Sequence, residues 1–324
     1  MQSLFGLDPL GILAVLGGIW ATTRLYHLAS FVHLHFLHRG RLHRYKQSTD
    51  SALGSSWALV TGASDGIGKG FAEELCEQGF NVILHGRNVA KLETVRAALL
   101  KLWPERQIEL LVLDAATAVD DPTTLAAAAE RLSHLNLRII INNVAGGLDT
   151  LWTPLAKRTP SEITRCLAVT AHFPTQLTCA FLPALLKRQP ALIVNVGSGV
   201  GELPAPYIAV YAGAKAYNHT FSRCLATEMR AEGHDVEVLG LLVGMVATHS
   251  APRATSPLVP SARVFARSAL RMVGCGRSVV WAYWPHALQF GGLVMNLPRW
   301  ILEMAVIGIA RKEKAIEEAE AKER

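Results

Sequence analysis

The chain has 324 residues, enough for one large α/β domain with accessory segments. It is 50% hydrophobic and only 18% charged, and its positive mean hydropathy of +0.25 favours contact with a membrane. The net charge of +6 includes one local basic cluster, Arg39, Arg41, Arg44 and Lys46, with no aromatic–basic interleaving or RNA-binding motif, so we expect no nucleic-acid partner.

An apolar segment opens the chain. Apolar residues run nearly unbroken from Leu10 to Thr23. Arg24 interrupts this run, which continues from Leu25 to Leu37 with histidines among the apolar residues. Together these stretches exceed the roughly 20 residues that a bilayer span needs. We predict an N-terminal membrane anchor over residues 1–46, with the basic cluster placing the chain after it in the cytosol. Two alternatives stay open: a single span or a monotopic attachment, and an apolar helix packed on the protein itself. We do not expect a cleaved signal peptide, because no basic region precedes the apolar run.

The cysteines and histidines suggest no metal site. Five scattered cysteines without a CxxC pair are typical of reduced core thiols in a cytosolic domain. The histidines near the anchor have no acidic or cysteine partners, so an interfacial segment explains them better than a metal does.

After a polar linker at residues 47–56, short apolar runs alternate with helical patterns. The predicted strands are Ala58–Val60, Val82–Leu84, Leu110–Leu113, Arg138–Ile141, Leu192–Val196 and Val236–Val243. The predicted helices are Phe71–Gln78, Ala90–Leu102, Leu125–Leu135 and a long region from Glu162 to Lys187 that Pro174 and Pro183 bend or divide. This alternation predicts a Rossmann-like, doubly wound parallel sheet over residues 57–311, including a substrate lid after Thr248.

The C-terminal part is less regular. We predict a helix at Phe265–Val273, a short strand at Val279–Trp284 and an apolar helical extension at Ala287–Ile309 that is broken at Pro298. That extension packs on the domain, on a second subunit or on the membrane. Residues 312–324 alternate in charge and predict a solvated helical tail.

The segment Thr61-Gly-Ala-Ser-Asp-Gly-Ile-Gly68 follows the first strand and opens a helix. Its GxxxGxG spacing permits a sharp turn, a close approach of a diphosphate to the backbone and tight helix–strand packing. The predicted cofactor contacts there are Gly62, Ser64, Asp65, Gly66, Ile67 and Gly68.

The second strand ends in Leu84-His85-Gly86-Arg87, without the acidic residue that would favour NAD. Arg87 suits a 2′-phosphate, so we predict NADP(H), with a plain surface arginine as the alternative. Asp114 is expected to accept from the adenine amine, and Asn142 ends the fourth strand where ligands meet such sheets.

Tyr211 and Lys215 are spaced to share one helix face. Reduction of a carbonyl needs a hydride and a proton, and we predict that Tyr211 donates the proton. A cation one turn away is expected to lower the pKa of the phenol, and Lys215 is also expected to hold the nicotinamide ribose. Ser198, after the fifth strand, is expected to hydrogen-bond the substrate oxygen.

These motifs resemble the short-chain dehydrogenase/reductase family from Trp57 to about Thr248, and more loosely to about Arg311. TGASDGIGK, NVGSG at Asn195–Gly199, the Leu203-Pro-Ala-Pro206 stretch and the anchored basic lead-in resemble its membrane-bound branch. That branch holds very-long-chain 3-oxoacyl-CoA reductases and 17β-hydroxysteroid dehydrogenases of types 12 and 3. The resemblance implies a homodimeric, NADPH-dependent reductase of the endoplasmic reticulum membrane, acting on 3-oxoacyl-CoA in fatty-acid elongation.

The chain departs from the family pattern at three places. Thr170 stands where the family has a catalytic asparagine that holds a relay water. The usual Asn-Asn-Ala-Gly or Asn-Asn-Val-Gly reads Asn142-Asn-Val-Ala-Gly-Gly147. The family's Pro-Gly after the sixth strand is Val243-Gly244, and the cofactor contacts implied there are Val243, Gly244, Val246 and Thr248, the last toward the carboxamide. These departures leave two alternatives to fatty-acid elongation open: a reductase or dehydrogenase for a sterol, terpenoid or polyketide carbonyl, and a membrane scaffold that binds NADPH with little activity.

Overall fold

The computed structural model describes residues 9–46, 54–249, 253–293 and 296–322. The chain begins there with α1 (Pro9–Val32), which continues as a π-helical turn (His33–Leu37). Residues 9–37 form the one helix in these ranges that is long and apolar enough to cross a membrane, and none of its most apolar stretch is buried. Most of the predicted linker, residues 47–53, lies outside the described residues.

Seven parallel strands form the predicted doubly wound sheet. Its order, β3-β2-β1-β4-β5-β6-β7, reverses between β1 and β4. The strands are β1 (Trp57–Thr61), β2 (Asn81–Gly86), β3 (Ile108–Val112), β4 (Leu137–Asn142), β5 (Ala191–Val196), β6 (Val236–Leu242) and β7 (Val279–Trp281). Every residue of β1, β2, β4 and β5 is buried, as continuous apolar runs in a sheet covered on both faces require.

Helices cover both faces of the sheet. They are α2 (Gly66–Glu77), α3 (Val89–Leu102), α4 (Pro122–Arg131), α5 (Pro160–Leu167), α6 (Phe173–Lys187), α7 (Ala209–Ala231) and α8 (Ala262–Arg271). The helix expected at Leu125–Leu135 begins and ends earlier than predicted. Asp121 caps the first turn by accepting from Thr123 N, and Leu132 already ends the helix.

The two prolines that were predicted to bend or divide the long helical region do not divide it. A π-turn, Ala168–His172, joins α5 to α6 without a gap, and Pro183 lies inside α6. Pro174 has no N–H to donate to the carbonyl four residues earlier, that of Thr170. Asn218 Nδ2 donates to this carbonyl at 2.9 Å, so a side chain from α7 satisfies the group that proline leaves open.

The basic segment after α1 packs on the domain. Tyr45 is 1% exposed and donates to Glu237 Oε2 at 2.6 Å, while Arg44 pairs with Asp235 at 2.9 Å. Arg41 N donates to Val273 O. These contacts fix where α1 leaves the domain, at the amino-terminal end of β6.

The C-terminal part continues with a three-residue helix α9 (Trp284–His286), a π-turn (Ala287–Leu293) and α10 (Arg299–Lys322). Pro298 separates the last two, as predicted. Trp300 and Met304 on α10 are 64% and 66% exposed. The prediction of a solvated tail is wrong for Glu313 and Glu317, which hydrogen-bond to loops of the domain. The expectation of core thiols holds for Cys76 and Cys166, but Cys179 and Cys224 are exposed.

Candidate active site

The glycine-rich turn lies between β1 and α2, at the carboxyl edge of the sheet. Gly62 has φ +65°, a conformation that favours glycine, and a Cβ there would lie 3.1 Å from Asn143 Nδ2. A Cβ on Gly68 would overlap the carbonyl of Gly62. Asp65 caps α2 by accepting from Gly66 N at 2.6 Å. The glycines therefore keep Cβ atoms out of the turn and leave its backbone accessible as a cradle, which fits a diphosphate at a helix N-terminus.

Asn143 and Thr61 hold this cradle in place. Asn143 Nδ2 donates to Thr61 O at 2.9 Å, and Thr61 Oγ1 accepts from the backbone amides of Asn143 and Val144 at 2.8 and 3.0 Å. The end of β4 is thus tied directly to the end of β1. Asn142, which was predicted as a cofactor contact, instead donates to Asn195 Oδ1 and Thr178 Oγ1 and is 4% exposed.

A cleft of about 290 Å³ runs along this edge and is lined by Gly62, Ser64, Arg87 and Asp114, among others. Arg87 Nη1 lies 4.0 Å from Asp114 Oδ2, and the Arg87 side chain is 77% exposed. A pair this long and exposed adds little stability, so the guanidinium is free to turn toward an anion. The residues predicted for the adenosine half of the cofactor share this one cleft.

Ser198, Tyr211 and Lys215 come together at the same edge. Ser198 follows β5 and precedes a 3-10 helix (Gly199–Glu202), while Tyr211 and Lys215 lie in the first two turns of α7. Lys215 is 3% exposed, and its Nζ donates to Val196 O at 2.7 Å, two residues before Ser198. The Lys215 Nζ lies 5.7 Å from the centroid of the Tyr211 ring. Lys215 therefore links α7, which carries Tyr211, to the end of β5, two residues before Ser198.

Burial dominates the protonation of this pair. Desolvation raises the pKa of Tyr211 to about 12, with a smaller contribution from Cys166, and lowers the pKa of Lys215 to about 8. The sequence predicted that Lys215 lowers the pKa of Tyr211, but burial raises that pKa. A tyrosine that stays protonated is suited to donate its proton.

Thr170 hydrogen-bonds to the loop after β4. Thr170, fully buried in the π-turn, accepts from Gly146 N at 3.2 Å through Oγ1 and donates to Gly146 O at 3.3 Å. Gly146 and Gly147 have φ values of +126° and +89°, and the Gly147 carbonyl accepts from Arg165 Nε at 2.7 Å. The loop after β4 is therefore held by Thr170 and Arg165.

Three buried histidines, which sequence reasoning did not single out, hold loops of this edge. His85 Nδ1 accepts from Gly62 N at 3.4 Å, His219 Nε2 from Ser198 N at 3.3 Å, and His286 Nδ1 from Gly244 N at 3.2 Å. Burial lowers the pKa of each, that of His85 to about 4. Neutral imidazoles can accept hydrogen bonds from these backbone amides. No sequence motif marked them, since their partners are backbone atoms distant in sequence.

The loop after β6 returns to the glycine turn. Val243 and Val246 are buried, and the Val243 carbonyl accepts from Ser198 Oγ at 3.5 Å. A Cβ on Gly66 would lie 3.2 Å from Thr248 Cγ2. Val243 thus lies beside Ser198, and Thr248 lies beside the glycine turn.

Helix α10 packs against two loops of the domain. The Glu317 carboxylate accepts from Leu151 N at 2.6 Å and from Trp152 N at 2.8 Å. Lys314 Nζ lies 5.5 Å from the ring of Tyr207, whose φ of +71° is unusual for a residue with a side chain. Tyr207 stands four residues before Tyr211. The C-terminal helix therefore contacts two loops, one of which carries Tyr207 and leads into α7.

Known proteins resemble this arrangement. The family model for short chain dehydrogenase matches residues 56–257. A very-long-chain 3-oxoacyl-CoA reductase from Pyricularia oryzae is 35% identical over 239 residues, 72% of this chain and 71% of the relative. One from Neurospora crassa is 30% identical over 302 residues, 91% of this chain and 85% of the relative.

Solved structures show the same fold. A short-chain dehydrogenase from Sphingobium yanoikuyae in complex with NADPH is 26% identical with a TM-score of 0.61, and covers 75% of this chain and 97% of its own. One from Shigella flexneri complexed with NADP is 25% identical with a TM-score of 0.62, and covers 70% of this chain and 95% of its own.

Proposed function

Because this chain belongs to the short chain dehydrogenase family, we propose that it is an NADPH-dependent reductase of lipid carbonyls, with 3-oxoacyl-CoA as its substrate. The observation that carries the proposal is Tyr211 beside the buried Lys215, whose Nζ donates to Val196 O at the end of β5, two residues before Ser198. The reaction is the reduction of a 3-oxo group to a 3-hydroxy group. Carbon 3 receives a hydride and its oxygen receives a proton.

Each side chain has a role that its position supports. The cradle from Gly62 to Gly68 binds the diphosphate of the cofactor, and Arg87 binds its 2′-phosphate. NADPH supplies the hydride when bound. Ser198 Oγ holds the substrate oxygen, Tyr211 donates its proton to that oxygen as negative charge grows there, and the Lys215 ammonium stabilises the phenolate that remains.

Three features support an acyl-CoA substrate in fatty-acid elongation. Relatives named very-long-chain 3-oxoacyl-CoA reductases match most of the chain, 72% of it for the Pyricularia oryzae protein and 91% for the Neurospora crassa protein. The apolar helix at residues 9–37 and the exposed Trp300 and Met304 of α10 suit an enzyme whose substrate partitions into a membrane.

The test is a chain-length series. Purified protein in detergent is given 3-oxoacyl-CoA substrates of increasing acyl length at saturating NADPH, and NADPH oxidation is followed by absorbance. We expect kcat/KM to rise with acyl length, because each buried methylene adds up to about 0.8 kcal/mol of binding. Reduction of the short substrates with the same efficiency as the long ones would contradict the assignment to elongation.

A second candidate is a reductase of a sterol, terpenoid or polyketide carbonyl. The contact between Thr170 and Gly146 favours it, because Thr170 and the loop that contains Gly146 depart from the family pattern beside the reacting centre. Rescue of an elongation-deficient cell by this chain would reject the second candidate. Failure to rescue, together with turnover of a cyclic ketone, would support it. The third candidate, a binding scaffold, requires that Tyr211→Phe leave the lipid composition of cells unchanged.

We further propose that the protein resides in the endoplasmic reticulum membrane as a homodimer with its catalytic domain in the cytosol. The basic residues after α1 support this orientation. The dimer would form through α6 and α7. Protease protection of sealed microsomes tests the orientation, since a cytosolic domain is digested without detergent.

A further inference from the structure

The Ser198 loop is folded around one imidazole. His219 lies on α7, one turn after Lys215, and its side chain is 1% exposed. A Cβ on Gly197 would overlap His219 Nε2, and a Cβ on Gly201 would lie 2.9 Å from His219 Cε1. The glycines on both sides of Ser198 therefore leave the space that the ring fills.

The hydrogen bonds of His219 select one tautomer. Ser198 N donates to Nε2 at 3.3 Å, so Nε2 is unprotonated. Nδ1 then carries the hydrogen and donates to Glu202 Oε1 at 2.9 Å. Glu202 ends the 3-10 helix that Ser198 begins, so the imidazole bonds to both ends of the same short segment. Arg223 lies 3.5 Å from the same carboxylate oxygen.

We propose that His219, oriented by Glu202, is a positioning residue that sets Ser198 for its bond to the substrate oxygen. The imidazole accepts a hydrogen bond from the Ser198 amide and thereby fixes the backbone from which Oγ projects. A second acceptor, the Val243 carbonyl, lies 3.5 Å from Oγ itself. Without His219, the loop would lose the hydrogen bond that sets the direction of the Ser198 side chain.

The charge state of His219 matters for this role. Burial lowers the pKa of His219 from its ordinary value, Glu202 acts in the opposite direction, and Arg223 and Lys215 add to the lowering. As pH falls through that depressed pKa, Nε2 gains a proton and changes from an acceptor to a donor facing Ser198 N–H. The bond is then lost, so an acid limb in the rate is expected to depend on this ring.

Two substitutions separate positioning from plain packing. His219→Phe keeps a planar ring and removes both nitrogens, whereas His219→Gln keeps an acceptor near the position of Nε2 and cannot titrate. We expect kcat to fall about 10- to 100-fold in His219→Phe, the scale of a misplaced catalytic group, with the Kd for NADPH changed less than about two-fold. His219→Gln should recover most of kcat and lose the acid limb of the pH profile. Thr220→Ala, at an exposed position next in the chain, is the matched control.

A second readout needs no substrate. Amide hydrogen exchange of residues 197–202 should accelerate in His219→Phe and in Glu202→Ala, and remain slow in His219→Gln and Thr220→Ala. The kinetic arm rests on the proposed function, but the exchange arm does not. A wild type without turnover would therefore defeat the substrate assignment, while the exchange result would still decide this inference.

Unchanged kcat and unchanged amide protection in His219→Phe would overturn the positioning role of His219. Equal losses of kcat in His219→Phe and His219→Gln, accompanied by weaker NADPH binding, would also overturn it. Should His219→Phe fail to fold, Glu202→Ala and His219→Gln decide by the same criteria.

Discussion

Raising the pH should slow the enzyme by removing the proton from Lys215. The side chain is 3% exposed, and the hydrogen bond it makes from Nζ is to the neutral carbonyl of Val196. Burial lowers the pKa of Lys215 from 10.5 to about 8, whereas Tyr211, with a pKa of about 12, stays protonated. Reduction uses the charged lysine, so activity is present below the lysine pKa and is lost as pH rises through it.

The magnitude can be worked from that pKa. The charged fraction of Lys215 falls from about 0.9 near pH 7 to about 0.1 near pH 9, so the rate should fall roughly ten-fold across that interval. The quantity to measure is kcat/KM for NADPH at saturating carbonyl substrate, because it reports the pKa values of the form of the enzyme that has not yet bound NADPH. NADPH oxidation is recorded in buffers of constant ionic strength.

Lys215→Arg is the matched variant, because a guanidinium keeps its charge throughout this range. Its profile should be flat between pH 7 and 9, at a lower absolute rate. A flat profile in the wild type, or the same ten-fold fall in Lys215→Arg, would refute the assignment of the alkaline limb to the buried lysine.

Three further changes test other parts of the site. Gly68→Ala should weaken NADPH binding at least about ten-fold by placing a Cβ on the Gly62 carbonyl, as measured by fluorescence titration; undisturbed binding would contradict the cradle. Arg87→Ala should reduce the preference for NADPH over NADH about ten-fold, the scale of one exposed charge-assisted bond, whereas Arg96→Ala on the following helix should keep it. Glu317→Ala should raise KM for the carbonyl substrate several-fold by releasing Leu151 and Trp152, with Glu303→Ala, which loses a surface pair with Arg299 on the same helix, as the control; an unchanged KM would show that α10 does not shape the site.

The sheet could be predicted because its signals are local. Continuous apolar runs such as Leu192–Val196 need burial on both faces, and the glycine turn after Thr61 has one common use between a strand and a helix. Tyr211 and Lys215 were placed together because a spacing of four residues fixes a shared helix face. In each case the information lies within a few residues of the feature.

The remaining features depend on contacts between distant segments. The π-turn before Pro174 is compatible with the fold because Asn218, 44 positions later, donates to the Thr170 carbonyl. The charged helix of Glu313 and Glu317 looks solvated in sequence, because the amides of Leu151 and Trp152 that it binds belong to a loop more than 160 residues away. The direction of the Tyr211 pKa shift was misjudged for a related reason, since the sequence shows the neighbouring lysine but not the depth of burial.

The central claim is that Tyr211 delivers the proton in an NADPH-dependent reduction of a 3-oxoacyl-CoA. The most direct measurement compares NADPH oxidation by detergent-solubilised wild type and Tyr211→Phe with a long-chain 3-oxoacyl-CoA, alongside NADPH binding to both. We predict turnover by the wild type, a loss of at least about 100-fold in the variant and equal binding of NADPH. Turnover by Tyr211→Phe at the wild-type rate, or none by a wild type that binds NADPH, would contradict the account.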